Sequence, residues 1–116
     1  MSAIDKEINI SGKVKSFDMD YFGRREAIGI IEGGYKIHFH SDGIGYYTLF
    51  DLYKNGEKIL SYKIPTHAKW EYFHLLRGKL KARFFVWGSD RQGRLHELIL
   101  PHDTGKLCTI KNLSGK

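Results

Sequence analysis

Asn55-Gly56 constrains the fold of this chain more than any other pair of residues. Both residues tolerate the positive φ that a two-residue hairpin turn requires, and the runs on either side, Tyr46 to Lys54 and Lys58 to Ile64, are rich in aromatic and β-branched residues. An antiparallel hairpin is expected there. A two-residue loop places Leu52 opposite Ile59 and Leu49 opposite Tyr62, so both faces carry apolar pairs and the hairpin is expected to lie centrally in its sheet.

The rest of the chain reads in the same terms. Ile8, Ile10, Val14 and Phe17 open a strand with Gly12 as a candidate bulge, and Gly33-Gly34 turns the run Ala27 to Ile31 into Tyr35 to His40. Lys79 to Trp87 and Arg94 to Leu100 form a further hairpin around Gly88 to Gly93, stopped by Pro101. Leu107 to Ile110 offers an edge strand or part of a mobile tail. One helix is expected: Pro65 ends a strand, Thr66 caps, Gly78 stops, and Ala68, Tyr72, Leu75 and Leu76 lie along one side of the segment between. The fold expected is mainly β, a small antiparallel β-barrel or curved sheet of about seven strands with one α-helix. At 116 residues it is a single domain, 1–116, with residues 1–7 and 111–116 as mobile ends.

Charge and cysteine content narrow the function classes. The net charge of +6 is concentrated late: residues 79–116 hold eight cations and three anions, whereas residues 1–40 hold six of each. A basic end suits a polyanion, nucleic acid first and an acidic protein second. Cys108 is the lone cysteine, which rules out an intrachain disulfide and suits a reducing cytoplasm, the expected location. No apolar run approaches the length needed to span a bilayer, so no membrane partner is expected.

Period two sorts the side chains of Lys79 to Trp87 into two faces. Leu80, Ala82, Phe84 and Val86 make a core face, and Lys79, Lys81, Arg83, Phe85 and Trp87 share the other. Three cations followed by two aromatics offer phosphate contacts beside a stacking surface for bases. Solvated cations with Phe85 and Trp87 packed under a loop fit the same pattern. Arg91 and Arg94 add charge at the turn.

Gly12-Lys13-Val14-Lys15-Ser16-Phe17, then Ile28-Gly29-Ile30-Ile31 and Ile37-His38-Phe39-His40-Ser41, resemble the first three strands of cold-shock-type OB barrels. Ser16 stands where that family has Trp, and Ile28, Ile30 and Lys36 stand where it has Phe. The resemblance implies a small barrel that binds single-stranded DNA or RNA on stacked aromatics, and it implies contacts from Lys15, Phe17, His38 and Phe39.

Other chemistry has less to stand on. His38 and His40 share a strand face as chelating ligands do, but no Cys pair or recognised ligand spacing accompanies them, so neither metal nor cofactor is expected. His96, beside the basic turn, is the candidate for a small metal-independent nuclease. The leading expectation is a non-catalytic module for single-stranded DNA or RNA, with a protein-interaction or inhibitor module against an acidic protein as the alternative.

Overall fold

A computed structural model describes residues 8–20, 26–41, 47–65, 73–76, 78–87 and 93–113. Among them the chain forms nine strands: β1 (Ile10–Asp20), β2 (Glu26–Ile31), β3 (Tyr35–Ser41), β4 (Tyr47–Lys54), β5 (Glu57–Pro65), β6 (Phe73–Leu76), β7 (Lys79–Trp87), β8 (Gly93–Pro101) and β9 (Leu107–Asn112). They build one antiparallel sheet in the order β5-β4-β3-β2-β1-β9-β8-β7-β6. Phe50 of β4 and Phe84 of β7 have ring centroids 4.8 Å apart. Six places separate those strands in the order, so a flat sheet would hold them roughly 29 Å apart at about 4.8 Å per strand. The sheet therefore curls into a half-barrel that closes on its own apolar face, an architecture compatible with an OB-like fold.

The bend lies in β1. Ile10 to Lys13 pairs with β9, whereas the strand from Val14 onward pairs with β2, and the register slips between Val14 and Ser16. This bulge sits a few residues beyond Gly12, the expected position. It returns Phe17 and Met19 to the inner face, where both pack against the core. Phe39, Phe50, Phe84, Ile37, Leu52 and Leu98 fill that core at 0–1% exposure. Cys108 is also fully buried, and burial pushes its thiol up to about 12, leaving it an apolar core residue.

The Asn55-Gly56 turn is where the sequence places it, with φ of 50° and 86°. Its register differs by one residue. A slip between Leu52 and Tyr53 sets Leu52 opposite Leu60 and Leu49 opposite Lys63, which turns Leu60 and Tyr62 inward. The hairpin is also not central, because β5 is an edge strand, and exposed Lys58 and Lys63 are the charges that keep such an edge from pairing further. Gly34 locks this turn to the neighbouring one. The Asn55 N–H donates to the Gly34 carbonyl at 2.8 Å, and at φ +86° a Cβ on Gly34 would stand 2.1 Å from Asn55 Oδ1.

The expected helix is corrected. No helix occurs among the described residues, and its C-terminal part, Phe73 to Leu76, is strand β6, paired with Lys79 to Ala82 of β7. Residues 66–72 and Arg77, the rest of that expectation, lie outside the described residues. The four residues Phe73-His74-Leu75-Leu76 are too short to carry a period of their own, and Gly78 at φ +80° closes a hairpin as readily as a helix. β9 is a second revision: it is inserted between β1 and β8 rather than placed at an edge, and it includes Lys111 and Asn112. No described helix is long and apolar enough to cross a membrane.

Candidate nucleic-acid interface

β7 separates its side chains as period two requires. Leu80, Ala82, Phe84 and Val86 are all at most 2% exposed on the inner face, while Lys79 and Arg83 are exposed and Lys81 and Phe85 half-buried on the outer face. Trp87 ends the strand opposite Gly93, but its side chain, like the whole of Arg91, lies outside the described residues.

The neighbouring strands add what the sequence reading missed. Glu97 of β8 stands directly across from Arg83 and takes hydrogen-bonded ion pairs from Lys81 Nζ and Arg83 Nε, each at 3.2 Å. Lys111 of β9 stands across from Glu97 on its other side. On the outer face of β7, β8 and β9 the described residues thus place four cations: Lys81, Arg83 and Lys111 flank the Glu97 carboxylate, and Lys79 continues the row opposite Pro101. Leu95 and Ile99 lie on the same face, beside Phe85 and Lys81 respectively. Extending the alternation of Leu107 to Ile110 by one step would have placed Lys111 with Thr109; nothing in one strand alone discloses Glu97 as its cross-strand partner.

Burial alone would raise the Glu97 pKa, yet hydrogen bonds and charge from Lys81 and Arg83 outweigh it and hold the carboxyl below the ordinary range. A carboxyl with a lowered folded pKa binds fewer protons folded than unfolded. Its stabilising contribution is present above the unfolded value of about 4.3 and is lost as pH falls through the lower folded value. Glu97→Gln should accordingly flatten the acid limb of a plot of unfolding free energy against pH, with little change near neutrality in the slope of that plot; an unchanged acid limb would contradict the pairing.

The other anticipated contacts are dispersed. Arg94 pairs with Val86, so the register sets it on the opposite face from Phe85. Phe39 is 1% exposed and stacked on Phe50 at 5.0 Å, leaving no ring face for a base. Phe17 turns inward and stacks on His102 at 4.5 Å. Lys15 is exposed at the β1 bulge, away from β7. His38 faces outward on the far half of the sheet, with His40 and Asp51. No protein-family model, curated protein or solved structure matches the chain.

His96, the residue on which a nuclease rested, is fully buried. Its Nδ1–H donates to the Arg94 carbonyl at 2.9 Å and its Nε2 accepts from the Ile8 N–H at 3.3 Å, so neither nitrogen is available to a phosphate.

Proposed function

We propose that the outer face of β7, β8 and β9 binds single-stranded DNA or RNA without catalysis. The observation that carries this reading is the placement of four cations and one carboxylate on a single face, in line with half-buried Phe85. Alternate residues of a strand recur at about 6.7 Å, so Lys79, Lys81 and Arg83 present a regular row of positive charge to a repeating phosphate backbone. Phe85 stands at the end of that row and offers the stacking contact. The curled antiparallel sheet is compatible with an OB-like fold, but the cold-shock resemblance of residues 12–41 adds no contact to this face, because Phe17 and Phe39 pack in the core. A basic and aromatic face with half-buried Leu95 and Ile99 also suits an acidic protein partner, which is the second reading.

Glu97 supplies the test. It competes with phosphate for Lys81 and Arg83, so Glu97→Gln should tighten oligonucleotide binding by about 5-fold and steepen the salt dependence by up to about 0.7 in the log-log slope for each cation released. Fluorescence anisotropy with a labelled single strand at two salt concentrations reads both quantities. Weaker or unchanged binding, with the variant folded by circular dichroism, counts against the nucleic-acid reading and leaves the acidic protein partner.

A further inference from the structure

On the half of the sheet away from β7, strand β3 carries His38 and His40 two positions apart, and their outward rings stack at 4.4 Å between centroids. Asp51 of β4 sits directly opposite His38 in the ladder. The sequence shows only the two histidines; the register brings the carboxylate. His40 Nε2 lies 3.0 Å from Asp51 Oδ2, and ligand atoms from His38, His40 and Asp51 all fall within 4.8 Å of one another. Donors bound to one zinc ion at about 2.0–2.1 Å stand about 3.3–3.4 Å apart in a tetrahedron, so one edge is already formed and the third donor needs only a small ring movement.

The surroundings hold the carboxylate in place. Ser61 Oγ donates to Asp51 Oδ1 at 2.6 Å, leaving Oδ2 aimed at His40. This is the outer-shell contact that orients a ligating carboxylate. Asp51 is 4% exposed, whereas the His38 and His40 side chains are 20% and 29% exposed, so the group is anchored on its protein side and open to solvent on the other. Two neighbours compete with a cation: Lys58 Nζ at 3.9 Å from Asp51 Oδ2, and Glu26 Oε2 at 2.5 Å from His38 Nε2. Lys58 is half exposed, so its ammonium can turn to solvent; Glu26 is the partner His38 would leave.

We propose that His38, His40 and Asp51 bind a divalent transition-metal ion of the zinc class, with the fourth coordination position open to water. Two imidazoles and a carboxylate suit this class rather than magnesium or calcium, which prefer all-oxygen sites. Three protein ligands with an open position are the arrangement of an exchangeable or reactive site, not of a closed structural one.

Calorimetric titration of the full chain with Zn²⁺ alone, and visible spectroscopy with Co²⁺, test the proposal. Saturable binding of one equivalent is expected, with Co²⁺ absorption stronger than that of the aqueous ion. His40→Ala and Asp51→Asn should each weaken binding by at least about 10-fold, Ser61→Ala by about 10-fold, and Glu26→Gln should leave it unchanged or tighter. Should a variant fail to fold, the wild type decides by NMR: Zn²⁺ must shift the His38 and His40 ring signals. Absence of saturable binding, binding that survives His40→Ala, or binding without those two shifts overturns the proposal.

Discussion

Replacing His96 with alanine lowers the unfolding free energy by about 3–5 kcal/mol. The ring is fully buried and stacks on Phe84 at 5.7 Å, so truncation opens a cavity beside the aromatic that joins the two halves of the curled sheet. It also strips the Ile8 N–H and the Arg94 carbonyl of their partner, and an unpaired buried backbone group costs about 1–3 kcal/mol. His96→Phe separates the two causes, since it restores ring volume and stacking but not the hydrogen bonds. That variant should recover the packing part of the loss and retain the part due to the two unpaired backbone groups. Urea denaturation reads both as a lowered midpoint at constant slope. A loss under about 1 kcal/mol for the alanine variant would mean that the ring does not occupy the core.

Removing Lys79, Lys81 and Arg83 together weakens single-strand binding on the order of 100-fold at 0.1 M salt. Each phosphate contact on a single strand releases about 0.7 counterion, so three lost contacts reduce the log-log salt slope by about 2 and cost about two powers of ten at 0.1 M relative to 1 M. The three side chains are exposed or half-buried, and among the described residues of this face neutralising them leaves Lys111 facing Glu97. Stability should fall as well, because Glu97, whose side chain is 14% exposed, loses both of its ion-pair partners, so binding is read on the variant shown to be folded by circular dichroism. Phe85→Ala should behave differently, costing roughly 1–3 kcal/mol of binding with the salt slope preserved. Binding by the triple variant within a few-fold of wild type would place the contacts elsewhere.

The turns and strands were readable wherever chemistry demanded one backbone conformation. Asn55-Gly56 announced its hairpin because few pairs accept two consecutive positive φ values. Alternation in β7 announced its two faces, since Leu80, Ala82, Phe84 and Val86 have no polar interruption. Long-range features were not readable. The slip at Leu52 and Tyr53 depends on what Leu60 and Tyr62 meet across the core, and β6 gains its strand character from pairing with β7, not from its own four residues. The candidate site divides along the same line. The β7 row came from one strand's own pattern, whereas Glu97, Lys111 and Asp51 enter through cross-strand register. Phe17 and Phe39 entered by resemblance, and the inner face of the sheet claims both rings.

The most direct measurement is an NMR titration of the uniformly labelled chain with a short single-stranded oligonucleotide, recording which residues shift. Binding at the proposed face shifts Lys79, Lys81, Arg83, Phe85, Glu97 and Lys111 together, with the Lys81 and Arg83 side chains leaving Glu97, and spares His38, His40 and Asp51 on the other half. Shifts confined to β2, β3 and β4, or none at saturating oligonucleotide, would contradict the account.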